Sequence, residues 1–147
     1  MNDRRTILMV EDSDDDFFAA IRAFKKAKMA NPVQRCTNGE QALDYLYRRG
    51  EFAPPAEAPR PSIILLDLNL PGTDGREVLK IIKSDEHLKK IPVIVLTISE
   101  AKEDIEACYR HGANTYIQKP VDLLKFFEAI AQLEEYWFEV AILPKDM

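Results

Sequence analysis

Short apolar runs alternate with amphipathic segments along most of the chain. The runs predict strands at residues 6–10, 33–37, 62–66, 91–96 and 115–118. Between and after them, apolar residues recur at helical spacing, which predicts helices over residues 14–28, 100–111 and 122 to about 138, and helices that begin near residues 39 and 74. The chain is therefore predicted to form five consecutive strand–helix units.

Repeated strand–helix units fold into a parallel sheet with right-handed crossovers and helices on both faces. The run at residues 62–66 has no polar alternation, which is typical of a central strand that helices cover on both sides. We therefore predict an α/β fold with a doubly wound, parallel, five-stranded sheet in the order 2-1-3-4-5.

The length of 147 residues suits a single domain. We expect its core to span about residues 6–133, followed by an extension at residues 134–147. Residues 50–61 hold four prolines and few large apolar side chains, so this segment is predicted to be a loop inside the domain.

Composition and charge narrow the class of protein. The hydrophobic fraction of 46% is normal for a globular domain, and the net charge of -5 disfavours nonspecific binding to nucleic acid or acidic membranes. No apolar run approaches the roughly 20 residues that span a bilayer, and residues 1–5 do not begin a signal peptide. We expect a cytoplasmic protein with neither nucleic acid nor membrane as a partner.

Two cysteines and two histidines lie far apart in the sequence. In a reducing cytoplasm, Cys36 and Cys108 are expected to be free, half-buried thiols. His87 and His111 have no Cys or His at zinc-binding spacing, so no structural zinc is expected.

Polar side chains follow four of the predicted strands. Glu11 and Asp12 end the first, Asp67 the third and Thr97 the fourth, and Lys119 follows the fifth. In an open α/β sheet, ligands bind at the carboxyl ends of the strands, so these groups should meet at one edge. Asp14 to Asp16 come next in the chain and suit the positive end of the first helix.

Three carboxylates and one lysine leave an excess of negative charge at this edge, which a cation would offset. Mg²⁺ fits best, because it binds one or two carboxylates together with phosphoryl oxygens. A carboxylate in such a site can attack a phosphoryl group. Asp67 is the best nucleophile because it ends the most central strand, while Lys119 and Thr97 would stabilise the phosphoryl charge.

Together these residues resemble the receiver domain of two-component response regulators, over about residues 6–127. The resemblance rests on the acidic pair Glu11-Asp12, the phosphoacceptor motif at residues 65–72 around Asp67, the switch residue Thr97 and the pair Lys119-Pro120. It implies a flavodoxin-like fold and a phosphoacceptor rather than a turnover enzyme, with at most slow self-dephosphorylation.

The resemblance also implies a metal site. Asp12 and Asp67 should bind Mg²⁺ directly, together with the backbone carbonyl of Asn69, and Glu11 should bind it through water. It further implies a cis Lys119–Pro120 peptide bond, and a rotation of Tyr116 when Thr97 moves towards the phosphoryl group.

The sequence is most similar to single-domain regulators that work with phytochrome-type histidine kinases. Three features carry this similarity: the proline-bearing insert before the third strand, the Asp-Leu-Asn-Leu-Pro run at residues 67–71 and the extended tail at residues 134–144. It implies such a kinase as the partner. One position departs from many receivers, where the residue after the switch threonine is small. Here it is Ile98, whose branched side chain is expected to narrow access to the phosphoryl group.

No DNA-binding domain follows the last predicted helix, so output is expected to run through partners. The tail is rich in large apolar side chains, which favours a homodimer through the last helix and tail. The candidate interface residues are Tyr136, Trp137, Phe138, Ile142 and Leu143.

Three other functions are compatible with parts of the pattern. A receiver that binds partners without phosphorylation is disfavoured by the complete set of site residues. A haloacid-dehalogenase-type phosphatase would need a second Asp two residues after the nucleophile, where this chain has Asn69. A phosphate sink that drains a shared kinase is not separated from a messenger by the sequence.

The dimer is testable by truncation after Glu135. Removal of residues 136–147 is expected to convert the dimer to a monomer, because it deletes the apolar side chains of the tail. Sedimentation velocity of the truncated and full chains at equal concentration measures this. An unchanged dimer would exclude the tail from the interface.

Overall fold

The computed structural model describes residues 6–135, with side chains to residue 132. Within this range, strands and helices alternate as the sequence predicts. They are β1 Ile7–Val10, α1 Asp14–Lys26, β2 Val33–Cys36, α2 Gly39–Tyr47, β3 Ile63–Leu66, α3 Gly75–Ser84, β4 Val93–Thr97, α4 Lys102–Arg110, β5 Thr115–Gln118 and α5 Leu123–Glu135. None of the described helices is both long and apolar enough to cross a membrane.

The five strands form one parallel sheet in the order β2-β1-β3-β4-β5, which confirms the predicted fold. The register pairs Val10 of β1 with Leu66 of β3, so both strands end at the same level. The next residues, Glu11 and Asp67, continue this alignment, and the Asp67 N–H donates to the Val10 carbonyl at 3.1 Å.

Helices cover both faces of the sheet and bury two apolar clusters. One cluster lies under α2, α3 and α4 and includes Leu66, Leu79 and Val95. The other lies under α1 and α5, where Phe24 and Phe127 stack with ring centroids 4.0 Å apart. Every residue of β1, β3 and β4 is buried, as expected for central parallel strands.

The C-terminal end of α1 differs from the predicted bound, because local capping determines where the helix starts and stops. α1 ends at Lys26, two residues early, and the chain then passes through a positive φ of 60° at Lys28. The cap at its start is Ser13, whose hydroxyl accepts from the Asp16 N–H at 3.2 Å. The predicted end of the last helix near residue 138 lies outside the described residues.

The proline-rich segment at residues 50–61 is a loop, as predicted, with one 3₁₀ turn at Gly50–Phe52. It packs on α2 through the buried Tyr45, whose hydroxyl donates to the Pro59 carbonyl at 2.7 Å. The Arg48 guanidinium donates to the Ala58 carbonyl at 3.1 Å. These bonds hold the insert against the domain.

The two cysteines are free, as predicted, and more completely buried than expected. Cys36 ends β2 and Cys108 lies in α4, both within the same apolar cluster. Burial raises the pKa of the Cys36 thiol to about 12, so it stays protonated at neutral pH.

An ion pair joins α3 to α4. The Arg76 guanidinium donates from Nε and from its terminal nitrogen to the two oxygens of Asp104, each at 2.7 Å. The Ser99 hydroxyl, in the β4–α4 connection, donates to the same carboxylate at 2.6 Å. The hydrogen bonds from Arg76 and Ser99 lower the pKa of Asp104 to about 2.

Asp104→Asn should lower the free energy of unfolding at pH 7 by about 1–2 kcal/mol, because it removes a charge-assisted, two-point contact. A carboxyl with a lowered folded-state pKa contributes stability above its ordinary value of 3.8 and loses it as the pH falls towards 2. Urea unfolding at pH 7 and pH 3 should therefore show a smaller deficit at pH 3.

Glu103→Gln is the matched control, because it removes the same charge from an exposed neighbouring position in α4. It should leave stability nearly unchanged at both pH values. An Asp104→Asn deficit that does not change between pH 7 and pH 3 would contradict the ionic origin of this contact.

Candidate functional site

Three carboxylates meet at the carboxyl edge of the sheet. Glu11, Asp12 and Asp67 each offer an oxygen, and these oxygens all lie within 4.8 Å of one another. Glu11 is 2% exposed and Asp67 is 8% exposed, whereas Asp12 faces solvent. The sequence prediction that these acids converge is confirmed, and the parallel register of β1 with β3 is the reason.

Lys119 reaches into this cluster from the end of β5. Its Nζ donates to Glu11 Oε1 at 2.6 Å, to Asp16 Oδ2 at 2.8 Å and to Asp67 Oδ2 at 3.3 Å. The side chain is only 11% exposed. The Lys119–Pro120 peptide bond is cis, as the family resemblance implied.

Burial and ion pairing have opposite effects on the pKa values of Lys119 and Glu11. Burial alone would lower the pKa of Lys119, but its hydrogen bonds to Asp16 and Glu11 and the charges of Glu11 and Asp67 raise it above its ordinary value. Burial raises the pKa of Glu11 in spite of the Lys119 hydrogen bond that opposes it. Lys119 is therefore positively charged at neutral pH. Its hydrogen bond and charge do not fully offset the cost of burying the negative charge of Glu11.

The donor set fits a hard divalent cation. Glu11, Asp12 and Asp67 supply only oxygen, which Mg²⁺ and Mn²⁺ prefer, and the described residues place no Cys or His in this cluster. A cation here would also offset the cost of burying Glu11. The predicted contribution of the Asn69 carbonyl stays a prediction.

Thr97 and Asn69 organise the other oxygen of Asp67. The Thr97 hydroxyl, fully buried, donates to Asp67 Oδ1 at 2.8 Å, and the Asn69 N–H donates to the same atom at 3.0 Å. The Asn69 side-chain amide donates to the Thr97 hydroxyl oxygen at 3.4 Å. Oδ1 is thus held by neutral donors, whereas Oδ2 faces the Lys119 ammonium.

Tyr116 does not contact the carboxylates but is bonded to the connection that follows Thr97. Its ring packs against the cluster under α2, α3 and α4, and its hydroxyl donates to the Ser99 carbonyl at 2.8 Å. In this structure Thr97 contacts Asp67 while the Tyr116 ring is partly buried against this cluster. The predicted rotation of Tyr116 stays a prediction.

Two residues at the site were missed by the sequence analysis. Asp16 was assigned to the positive end of the first helix, but its carboxylate contacts Lys119, so the site holds a fourth acid. Gly75 begins α3 so close to β3 that an added Cβ would lie 2.2 Å from the Asp67 carbonyl oxygen. The Asp-Gly pair at residues 74–75 was the available signal for that close approach.

Ile98 stands beside the site with 66% of its surface exposed. With Glu11, Asp16 and Lys119 it lines a cavity of about 280 Å³. This position is compatible with the predicted effect on access, which stays a prediction. The candidate dimer residues Tyr136, Trp137, Phe138, Ile142 and Leu143 lie outside the described residues.

The sequence model of the family described as response regulator receiver domain matches residues 7–141. The chain belongs to the response regulator receiver family. Response regulator Rcp1 of Synechocystis is 38% identical over 143 residues, which cover 97% of this chain and 95% of Rcp1. The Mn²⁺-bound structure of a response regulator Rcp1 superposes with a TM-score of 0.80 over 96% of this chain and 99% of that one.

Two further receivers have closely similar structures. The phosphorylated cyanobacterial phytochrome response regulator RcpA is 41% identical, with a TM-score of 0.81 over 97% of this chain and 99% of that one. Response regulator RPA3017, described in red light signaling of R. palustris, is 38% identical, with a TM-score of 0.81 over 96% of this chain and 99% of that one. These likenesses cover nearly the whole chain.

Ile98→Ala should speed labelling by acetyl phosphate severalfold, because it removes a branched side chain at the cavity that Lys119 lines. Initial rates measured by intact mass would show the change. Phe18→Ala, which truncates another exposed apolar side chain that does not line this cavity, is the control. Equal rates for wild type and Ile98→Ala would exclude a role in access.

Proposed function

We propose that this protein is a response regulator that accepts a phosphoryl group on Asp67 from a histidine kinase in a Mg²⁺-dependent reaction. One observation carries the proposal: Asp67 is buried, its Oδ1 accepts from Thr97 and Asn69, and its Oδ2 faces Lys119. The oxygens of Glu11 and Asp12 lie within 4.8 Å of an Asp67 oxygen, which supports a metal at the same place.

In the proposed reaction, an oxygen of Asp67 attacks the phosphorus of a phosphohistidine. A carboxylate O–P bond forms, the P–N bond breaks, and the imidazole nitrogen keeps the electron pair and takes up a proton. The product is an acyl phosphate. When bound by Asp12, Asp67 and the Asn69 carbonyl, and by Glu11 through water, Mg²⁺ would offset negative charge on the carboxylates and the phosphoryl oxygens.

Lys119 and Thr97 would act on the transferred group. The Lys119 ammonium is already in place at 3.3 Å from Asp67 Oδ2 and supplies a fixed positive charge. The Thr97 hydroxyl, now bonded to Asp67 Oδ1, can rotate its proton to a phosphoryl oxygen instead. Both side chains already contact Asp67, so each can redirect a hydrogen bond to a phosphoryl oxygen.

The conformational signal would leave the site along the β4–α4 connection. Thr97 ends β4, Ser99 follows it, and Tyr116 of β5 donates to the Ser99 carbonyl. Arg76 and Asp104 link the same connection to α3 and α4. A shift of Thr97 towards a phosphoryl group would therefore disturb the α4 and β5 surface, which we propose binds partners in a phosphorylation-dependent way.

The site supports a phosphoacceptor rather than a turnover phosphatase. A phosphatase of the haloacid-dehalogenase type needs an acid–base carboxyl two residues after the nucleophile. Here that residue is Asn69, whose amide donates to Thr97 and does not act as a general acid or base at neutral pH. Any hydrolysis of the aspartyl phosphate is proposed to be slow and water-driven.

A phytochrome-type histidine kinase is the proposed partner. This proposal is supported by the likeness to RcpA, described as a phytochrome response regulator, and to RPA3017, described in red light signaling. The insert at residues 50–61, on which the sequence resemblance to such regulators partly rests, packs on α2. The homodimer through the last helix and tail remains a prediction from the sequence.

Incubation with acetyl phosphate and Mg²⁺ should add the mass of one phosphoryl group to the intact protein. Asp67→Asn should abolish the adduct, because the amide is not nucleophilic. Asp15→Asn, an equal change at an exposed position of α1, is the control and should be labelled like wild type. Labelling of Asp67→Asn at the wild-type level, or no labelling of wild type, would overturn the proposal.

A further inference from the structure

The Lys119 ammonium is shared among more acids than the proposed reaction uses. Its three N–H groups point to three carboxylates, and one of these, Asp16, comes from the first turn of α1 rather than from a strand end. Nothing in the proposed phosphoryl transfer requires this contact. Its role therefore needs a separate account.

The distances rank the three partners. Lys119 Nζ lies 2.6 Å from Glu11 and 2.8 Å from Asp16, but 3.3 Å from Asp67. Asp67, the proposed nucleophile, therefore makes the longest and weakest of the three contacts with the Lys119 ammonium. Asp16 and Glu11 draw the ammonium towards β1 and α1.

Helix α1 does not need the Asp16 carboxylate as its cap. The Ser13 hydroxyl accepts from the Asp16 backbone N–H, and Asp14 and Asp15 already place acids in the first turn. The Asp16 side chain is 46% exposed, so its charge is hydrated on one side and carries little burial cost. Its contact with Lys119 is thus available for a functional role.

We propose that Asp16 is a counter-ion that restrains Lys119 and lowers the affinity of the site for an anionic phosphoryl donor. The inference rests on the proposed function. Asp16 and Asp67 bond the same nitrogen, so their contacting oxygens are at most about 6 Å apart. A unit charge at that distance, in a partly hydrated site, changes the affinity for an anion by about threefold to tenfold.

Asp16 is accordingly a positioning residue that acts through Lys119. In the resting state it satisfies one ammonium N–H that a phosphoryl oxygen would otherwise take. When a phosphoryl group arrives on Asp67, Lys119 exchanges its hydrogen bond to Asp16 for one to the phosphoryl oxygen, and the exposed Asp16 carboxylate returns to water. No covalent bond of Asp16 changes.

Two substitutions of Asp16 distinguish the effect of its negative charge from its effect on the position of Lys119. Asp16→Asn removes the charge but keeps an amide oxygen that can accept from Lys119. Asp16→Ala removes both. If Asp16 is a counter-ion, both variants bind an anionic donor more tightly. If it is instead an anchor that holds Lys119 in place, Asp16→Asn behaves like wild type and Asp16→Ala reacts more slowly.

The test measures phosphorylation rates against acetyl phosphate concentration at saturating Mg²⁺, by intact mass. Asp16→Asn and Asp16→Ala should lower the half-saturating donor concentration about threefold to tenfold and leave the maximal rate nearly unchanged. Asp15→Asn carries the same charge change on the same helix turn, has no contact with Lys119, and should match wild type.

Calorimetric titration with beryllofluoride, a phosphoryl mimic, adds an equilibrium readout that does not depend on turnover. The same two variants should bind it severalfold more tightly than wild type. If Asp16→Asn matches Asp15→Asn in both assays, or if only Asp16→Ala changes and reacts more slowly, the counter-ion role is overturned while the proposed function stands. If the wild type itself forms no adduct, both fall.

Discussion

The in-register parallel pairing of β1 with β3 is the constraint on which the site depends. Alternate residues of both strands pack into the two opposite apolar clusters, so a slip of one residue would exchange the side chains that fill each cluster and is disfavoured. The fixed register leaves Glu11 and Asp67 side by side where the strands end. Their mutual repulsion is tolerated because the burial energy of two central strands far exceeds it.

Lys119 then compensates part of the resulting charge. Its position follows from β5, which pairs with β4 so that Thr97 and Gln118 are aligned and Lys119 comes next. One ammonium cannot neutralise four carboxylates, and this imbalance makes a divalent cation chemically complementary to the site. The strand register therefore determines which charged side chains meet at the site.

Local patterns predicted the strands, their order and the residues that follow them, because apolar runs and parallel topology determine strand ends. The same patterns missed Asp16, since an acid in a first helical turn has a sufficient explanation in the helix dipole. They also missed Gly75, which depends on how closely α3 approaches the end of β3, and the Arg76–Asp104 pair, which depends on how α3 and α4 pack. Contacts of that kind arise from tertiary packing and leave no periodic trace in the sequence.

Ser99 uses two different atoms to hold two different elements. Its carbonyl accepts from Tyr116 of β5, and its hydroxyl donates to Asp104 of α4. Both bonds involve one residue, so a movement of the connection after Thr97 that displaces Ser99 disturbs both contacts. The segment should therefore change state cooperatively, as a discrete step rather than a graded drift, which is the behaviour a binary signal requires.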